Sequence, residues 1–271
     1  MYDVVVVGDT AWDTVVPLHG DLEFDADTNA TIYQGMGGQG LNMAIAAAEL
    51  GSSTALVTQV GCDMLSQTLL AHIRRAGIHL VSTTQEDPLT RVVAIVREDG
   101  ERALLTDPGV GPLASPDDSI HGKVLLISGY LVDRPGGVER IGEWLQWARR
   151  HKMTRLLDAA HARLSDRLTG ILSQVDWILA NEREWQALGR PDDIACLIKR
   201  GKEGIQLRKG RHLMDVGIHA SGPVVDTTGA GDAVAGGFAA SLAQGMGVRK
   251  AAEIAVQRGF QACLHLGSIK F

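Results

Sequence analysis

Val225-Asp-Thr-Thr-Gly-Ala-Gly-Asp232 is the strongest local signal in this chain, and the small-residue run Ala233-Val-Ala-Gly-Gly-Phe-Ala-Ala240 follows it at once. It predicts a junction between a strand and a helix. The free N–H groups of such a junction and the partial positive charge at the helix N-terminus stabilise an anion, such as a phosphoryl group in transfer. On this stretch alone, Asp232 either caps the helix or removes a proton from a hydroxyl group during phosphoryl transfer.

Short aliphatic runs alternate with helical patterns along the rest of the chain. The predicted strands are Val4 to Val7, Ala55 to Val60, Lys123 to Ser128, Thr154 to Leu157, Trp177 to Ala180 and Ala195 to Lys199. The predicted helices are Leu41 to Leu50, Met64 to Ala76, Gly136 to Arg150 and Ala233 to Gln244. This alternation predicts a layered α/β fold with a mainly parallel sheet. No linker or repeat divides the chain, so we expect one domain over residues 1–271.

Two segments interrupt the alternation, at residues 14–34 and 91–105. In the second, Glu98-Asp-Gly-Glu101 is typical of a turn between two short strands. We therefore expect antiparallel strands outside the main sheet.

A second glycine-rich segment runs from Gly35 to Ala44 and contains the spacing G-x-G-x-x-G. It does not follow directly on the first strand, as a dinucleotide fingerprint would, so a nicotinamide site is not expected. The glycines instead let the chain pass close to a polar substrate. Asn42 either bonds the hydroxyl groups of that substrate or caps a helix.

The composition excludes several classes of protein. The chain has 271 residues, 45% of them hydrophobic, and a net charge of −6 without a basic block, so nucleic acid is not an expected partner. The amino-terminal run is typical of a first strand rather than a signal peptide, and no stretch approaches the roughly 20 apolar residues that cross a membrane. We therefore expect a cytoplasmic protein with reduced, buried cysteines at Cys62, Cys196 and Cys263.

Histidine and tryptophan give weaker signals. The histidines lack metal-ligand spacing, so no structural zinc is expected. The tryptophans are typical of core or helix-face residues, but Trp12 lies close enough to Asp13 in sequence to stack on a sugar or a base.

An ordered set of motifs resembles the ribokinase-like, or PfkB-type, carbohydrate kinases over nearly the whole chain. The set comprises Gly8-Asp-Thr-Ala-Trp-Asp13, Gly37-Gly38-x-Gly40-x-Asn42, Val60-Gly61-x-Asp63, Gly100-Glu101-Arg102, Ser128-Gly129-Tyr130, Asn181-Glu182-x-Glu184, Lys199-x-Gly201 and Asp226-Thr-Thr-Gly-Ala-Gly-Asp232. The resemblance implies a three-layer α/β/α ribokinase-like fold with a mainly parallel central sheet and a small β lid, formed by about 14–34 and 91–105. In relatives the lid closes over the sugar and often pairs between subunits, so a homodimer is expected.

The resemblance also assigns roles to individual residues. It makes Asp232 the general base and gives the anion-hole amides to Gly229, Ala230 and Gly231. The residues that hold sugar hydroxyls are Asp13, Gly38 and Asn42. Asn181, Lys199, Gly201 and Gly204 fall where the nucleotide binds, and Glu184 falls where Mg²⁺ is organised, largely through water. Asp226 and Thr228 could offer oxygens to a monovalent cation such as K⁺.

Three residues depart from the pattern of ribose-specific members. Arg91 replaces a glycine and resembles the arginine of phosphofructokinase-type members that grip a phosphate on the sugar, although an exposed lid arginine explains it equally well. Ala11 and Gln39 replace a polar residue and a lysine. The chain also ends at Phe271, soon after Leu266-Gly-Ser268, which shortens the region expected to hold adenine.

The resemblance implies an ATP-dependent kinase that transfers the γ-phosphoryl group to a hydroxyl of a sugar, sugar acid or phosphosugar, with Mg²⁺ as cofactor. A nucleoside kinase of the same fold is the alternative within this class. A non-catalytic, sugar- or nucleotide-binding regulatory protein is the alternative from another class.

Overall fold

The computed structural model describes residues 1–22, 24–97, 102–109, 113–219, 222–264 and 267. Its strands are β1 (Tyr2–Val7), β2 (Ala11–Pro17), β3 (Tyr33–Gly37), β4 (Thr54–Val60), β5 (His79–Thr84), β6 (Thr90–Val96), β7 (Arg102–Asp107), β8 (Gly122–Ser128), β9 (Thr154–Asp158), β10 (Trp177–Asn181), β11 (Ala195–Lys199), β12 (Ile205–Lys209) and β13 (His212–Val216). Its α-helices are α1 (Gln39–Glu49), α2 (Met64–Arg75), α3 (Gly137–Arg150), α4 (Ser165–Leu168), α5 (Glu182–Ala187), α6 (Ala230–Ala243) and α7 (Val248–Ala262). Short 3₁₀ helices lie at Gly129–Asp133, Ala162–Leu164, Thr169–Gln174 and Gly201–Glu203.

The main sheet has the strand order β13-β12-β11-β10-β9-β8-β1-β4-β5. All neighbours from β5 to β11 run parallel, and β12 and β13 add an antiparallel edge. Helical connections return the chain between parallel neighbours, as such sheets require. The expectation of a mainly parallel central sheet is confirmed.

Each face of this sheet carries its own hydrophobic core. Val4 and Val6 of β1 belong to one core, with residues of α1, α2, α6 and α7. Val5 and Val7 belong to the other, with residues of α3 and α5. Because successive side chains of a strand point to opposite faces, one apolar run supplies both cores. The result is the expected three-layer α/β/α fold.

A separate small sheet has the order β3-β2-β6-β7. The pairs β2–β3 and β6–β7 are antiparallel, as expected, but the central pair β2–β6 is parallel. The purely antiparallel arrangement was therefore wrong for the middle of this sheet. The turn expected at residues 98–101 lies outside the described residues.

Two helix starts differ from the expected ones, and both differences affect functional residues. Helix α6 begins at Ala230 rather than Ala233, with Gly229 as its N-cap at φ 76°, so Asp232 lies inside the first turn and is not the cap. Helix α1 begins at Gln39 after Gly38, so Asn42 lies within the helix and is not a cap either. Both polar side chains are therefore available for other partners.

Two further features bear on the expectations from composition. Cys196 and Cys263 are buried, but Cys62 is exposed, so the expectation of three buried thiols was wrong for Cys62. Among the described helices, none is long and apolar enough to cross a membrane.

Candidate active site

The candidate site lies where neighbouring parallel strands end. Ser128, Asp158, Asn181 and Lys199 are the last residues of β8, β9, β10 and β11, and the register pairs Ser128 with Asp158 and Asn181 with Lys199. Polar side chains at the carboxyl ends of parallel strands form the usual ligand site of open α/β sheets. The first turns of α1 and α6 supply the side chains of Gln39, Asn42 and Asp232 to the same place.

The first turn of α6 offers backbone amides to an anion. The N–H group of Ala230 donates to the carbonyl oxygen of Thr227 at 3.2 Å and closes a turn. The N–H groups of Gly229, Gly231 and Asp232 have no acceptor within the described part of the chain. The expected set of amides therefore changes, because Ala230 is engaged in a turn and the amide of Asp232 itself is free.

The carboxylate of Asp232 is held by two amides of α1. Asn42 Nδ2 donates to Oδ2 at 2.8 Å, and Gln39 Nε2 approaches Oδ1 at 3.4 Å. Burial and the negative charge of Asp158 raise the pKa of Asp232 to about 7, and Asn42, Lys199 and Gln39 oppose that rise. A carboxylate with a pKa near neutrality is suited to accept a proton at physiological pH.

Asn42 has a second property that suits a ligand site. Its amide oxygen is buried and accepts no hydrogen bond from any described residue. A buried acceptor without a donor is costly unless a ligand or water satisfies it. A hydroxyl donor bound beside Asp232 would meet this need.

Asp13 lies on β2 with its carboxylate against Gly37. A Cβ atom at Gly37 would lie 2.0 Å from Asp13 Oδ2, so a side chain there would displace the carboxylate. Burial and the charge of Asp9 raise the pKa of Asp13 to about 6. Gly38, at φ 96°, passes so close to Thr10 that a Cβ would lie 2.7 Å from its Cα. Both glycines are thus required by close packing around the acid.

A fully buried carboxylate, Asp158, was absent from the residues expected at the site. Its Oδ2 accepts from Lys199 Nζ at 2.7 Å, and its Oδ1 accepts from Gln39 Nε2 at 3.1 Å and from the N–H of Ala160 at 3.0 Å. The Lys199 side chain also runs beside the first turn of α6, where a Cβ on Gly231 would lie 3.5 Å from its Nζ. An acid at the carboxyl end of a predicted parallel strand was the sequence signal for Asp158.

Tyr130 is a second residue near the site to which the sequence assigned no role. It lies in the 3₁₀ helix after β8, and its side chain is partly exposed. Burial raises the pKa of its hydroxyl to about 12, with further increases from the charges of Asp9, Asp232, Asp158 and Glu184. The phenol therefore lies near all four carboxylates.

Asn181 and Glu184 form a capping box at the start of α5. The Asn181 N–H and Nδ2 donate to the two carboxylate oxygens of Glu184 at 2.7 and 2.6 Å, and the Glu184 N–H donates to Asn181 Oδ1 at 2.9 Å. Glu184 is buried, which raises its pKa despite the nearby Lys199. Asn181 is therefore the N-cap of α5, and Glu184 is a buried carboxylate rather than a surface charge.

This donor set fits a hydrated Mg²⁺ ion rather than a directly coordinated one. Both oxygens of Glu184 already accept hydrogen bonds, and no cluster of three or more metal-ligating side chains occurs among the described residues. Mg²⁺ commonly keeps several waters, through which a carboxylate can act.

The remaining expected residues shape the turns around the site. Gly201 and Gly204, at φ 55° and 84°, lie in the turn between β11 and β12, where a Cβ on Gly204 would lie 2.2 Å from a carbonyl oxygen. Asp226 Oδ1 accepts from the N–H and Oγ1 of Thr228 at 2.9 and 2.7 Å, and its Oδ2 accepts from the N–H of Gly267 at 3.0 Å. These bonds tie the segment before α6 to the end of the described chain.

Arg91 and Trp12 lie on the face of the small sheet opposite to Asp13. Trp12 is directly paired with Arg91, and Asp13 with Val92, so the alternation of side chains separates the two sets. Arg91 forms an ion pair with Asp107 at 2.7 Å, and both side chains are about half exposed. The geometry therefore favours an exposed lid arginine over a phosphate ligand, and it does not bring Trp12 to the substrate side.

Comparison with known proteins agrees with this architecture. Residues 1–270 match the profile of the pfkB family carbohydrate kinases. The chain is 25% identical to the ribokinase of Bacillus subtilis (strain 168), over 94% of this chain and 90% of that protein. It is 26% identical to the cytidine kinase of Thermococcus kodakarensis, over 95% of each chain.

A solved structure, the adenosine kinase from Sinorhizobium meliloti, superposes with a TM-score of 0.86 at 24% identity, over 98% of this chain and 95% of that one. The fold is therefore shared with a protein whose acceptor differs from that of the ribokinase. Because the family profile spans almost the entire chain, this protein belongs to the pfkB family of carbohydrate kinases, which are phosphotransferases with hydroxyl acceptors.

Proposed function

We propose that this chain transfers the γ-phosphoryl group of ATP to a hydroxyl group of a small carbohydrate, with Asp232 as the general base. The observation that carries the proposal is the position of Asp232. Its carboxylate has a pKa raised to about 7 and lies in the first turn of α6, beside amides that have no acceptor in the described part of the chain.

In the proposed reaction, Asp232 accepts the proton of the acceptor hydroxyl as that oxygen attacks the γ-phosphorus. The bond from the γ-phosphorus to the bridging oxygen breaks, and ADP leaves with its electron pair. The negative charge on the transferring group is stabilised by the N–H groups of Gly229 and Gly231. The Lys199 ammonium, which lies beside Gly231, adds to this stabilisation.

The acceptor is proposed to bind between the small sheet and α1. The Asp13 carboxylate accepts no hydrogen bond from the described residues and suits a pair of hydroxyl groups. Gly38 lets the chain approach the ligand, and the buried amide oxygen of Asn42 needs a donor. Two polar groups suited to hydroxyls, the Asp13 carboxylate and the Asn42 amide oxygen, favour a sugar, sugar acid or phosphosugar. A nucleoside also carries a ribose diol and is the second candidate, supported by the likeness to the cytidine kinase.

The nucleotide is proposed to bind near Asn181, Lys199, Gly201 and Gly204, on the other side of Asp232 from the acceptor. Glu184 would hold the hydration shell of Mg²⁺, which neutralises charge on the ATP phosphates. A monovalent cation such as K⁺ at Asp226 and Thr228 is a further element of the proposal.

The small sheet is proposed to act as a lid, formed by the segments 14–34 and 91–105, within a single domain spanning residues 1–271. Exclusion of water by a closed lid would prevent transfer of the phosphoryl group to water. Exposed apolar residues of the sheet, Tyr33, Leu104 and Leu105, support a homodimer that pairs through this lid. The cytoplasm, where ATP is available, is the proposed location, and neither nucleic acid nor membrane is a proposed partner.

The test is an ATP-consumption screen over sugars, phosphorylated sugars, sugar acids and nucleosides, with Asp232→Asn as the matched variant. We expect turnover with one of these classes and a loss of about 10²–10⁴-fold in Asp232→Asn. Undiminished turnover in Asp232→Asn would rule out the proposed base. The absence of turnover with every acceptor would favour the non-catalytic binding protein.

A further inference from the structure

We propose that Gln39 and Asp158 are positioning residues for Asp232: the Gln39 amide links the two carboxylates, and Asp158, bound to Lys199, fixes the place of that amide. The inference rests on the proposed function only in taking Asp232 as the base. It concerns two side chains to which neither the motif resemblance nor the comparisons gave a role.

The orientation of Gln39 follows from its hydrogen bonds. Its side chain is almost completely buried, and its Oε1 accepts from Ser128 Oγ at 2.7 Å. Nε2 therefore faces Asp158 Oδ1 at 3.1 Å and Asp232 Oδ1 at 3.4 Å, with one N–H available for each. The reverse orientation would place the amide oxygen against two carboxylates. The backbone N–H of Gln39 is also held, by Asp9 Oδ2 at 3.2 Å.

Asp158 is fixed independently of Gln39. It is fully buried, and its two other donors are Lys199 Nζ and the N–H of Ala160. A buried carboxylate paired with a lysine and fully hydrogen-bonded is a rigid support, since removing one partner leaves an uncompensated charge. The Gln39 amide, held by Asp158, in turn restrains Oδ1 of Asp232. Asn42 restrains Oδ2.

The two residues affect Asp232 in opposite directions. The negative charge of Asp158 disfavours the charged form of Asp232, whereas the Gln39 N–H stabilises it. The other groups that face Asp232 are Lys199 from β11 and Asn42 from α1, both of which favour its carboxylate. Tyr130 lies near Asp232 and Asp158, and the charges of Asp9 and Glu184 also act on its hydroxyl.

Because the two effects are opposite, removing each residue should shift the pKa of Asp232 in a different direction. In Asp158→Asn the repulsion is lost and Lys199 loses its charged partner, so the pKa of Asp232 should fall by about 1. In Gln39→Met the shape is nearly kept and a donor is lost, so the pKa of Asp232 should rise by about 1. Both variants should lower kcat by about tenfold or more, with KM for the acceptor changed less than threefold, because the displaced group is the base.

The measurement is a carboxyl-carbon NMR titration of the full chain labelled with ¹³C-aspartate. The Asp232 signal is identified by its loss in Asp232→Asn. Asp3→Asn is the matched control, because Asp3 forms an ion pair with Lys123 at the same 2.7 Å as Asp158 with Lys199, but on the surface near the other end of the strands. Asp3→Asn should leave the Asp232 titration unchanged. Gln39→Glu keeps the side-chain shape and adds a negative charge, so it should raise the pKa of Asp232 more than Gln39→Met does. It takes the place of Gln39→Met if Gln39→Met does not fold.

Shifts of opposite sign in Asp158→Asn and Gln39→Met are the expected result. No shift in either variant, or shifts of the same sign, would overturn the proposed positioning roles. The proposed function fails separately, by the absence of wild-type turnover or by an active Asp232→Asn, because the NMR titration needs neither substrate nor turnover.

Discussion

Asp232→Asn should make the protein more stable at neutral and alkaline pH while it removes activity. The folded-state pKa of Asp232 is raised to about 7 from an ordinary value of 3.8. A carboxyl group with a raised folded-state pKa contributes stability that is fully present below the unfolded-state value. That contribution is lost as the pH rises towards the folded-state value, because the unfolded chain releases its proton first.

The size of the effect follows from the same two values. At pH 8, where Asp232 is ionised in both states, its raised pKa costs about 4 kcal/mol of stability, from 1.36 kcal/mol for each pKa unit. At pH 5, where only the folded state keeps the proton, the cost is roughly 1.5 kcal/mol. Asparagine keeps the shape and carries no charge. The free energy of unfolding of Asp232→Asn, minus that of the wild type, should therefore increase by about 2–3 kcal/mol between pH 5 and pH 8.

Urea unfolding of both proteins at each pH, with linear extrapolation, measures this difference. Asp3→Asn is a control. The hydrogen bond from Lys123 lowers the pKa of Asp3, so the contribution of Asp3 to stability depends on pH only in a range more acidic than the two pH values compared. A stability difference between Asp232→Asn and wild type that is the same at pH 5 and pH 8 would refute the raised pKa.

Three further variants test the surroundings of the site. Gly37→Ala should raise KM for the acceptor by about tenfold or more in steady-state assays, because its Cβ would displace the Asp13 carboxylate, and an unchanged KM would contradict the placement of Asp13 in the acceptor site. Arg91→Ala should change KM for neutral and phosphorylated sugars less than twofold. It should change the free energy of unfolding by at most about 1 kcal/mol, since the ion pair of Arg91 with Asp107 is exposed. A loss of activity on phosphorylated sugars alone would support Arg91 as a phosphate ligand. Arg134→Met should raise KM for the acceptor about tenfold, with a smaller effect on kcat. Arg134 Nη2 donates to Thr90 Oγ1 at 2.8 Å and so holds the start of β6, which belongs to the proposed lid. Equal effects on KM and kcat would argue against a role of Arg134 in the lid.

Much of the fold could be predicted because its physical signals are local. The aliphatic runs that become β1, β8 and β11 are long enough to be buried on both faces, which only a covered parallel strand requires. Helix α7 and the pair β12–β13 were missed. The residues of β12 and β13 alternate only partly between buried and exposed, so their sequence resembles a loop as much as an edge strand.

The candidate site was predictable in part. The glycines before Asp232 carry a clear signal, but the sequence placed the start of α6 three residues late, because a glycine at positive φ can end a loop or cap a helix. Gln39 meets Asp158 and Asp232 only through tertiary contacts, across 119 and 193 residues of chain. No local pattern can show such contacts.

The pH dependence of kcat/KM for the wild type, measured with an identified acceptor, shows whether Asp232 acts as a base with a raised pKa. If Asp232 is the base, kcat/KM should fall about tenfold for each pH unit below a pKa of about 7, and Asp232→Asn should lose this dependence together with at least 10²-fold of the rate. A wild-type kcat/KM that stays constant from pH 5 to pH 8 would contradict the assignment of Asp232 as a base with a raised pKa.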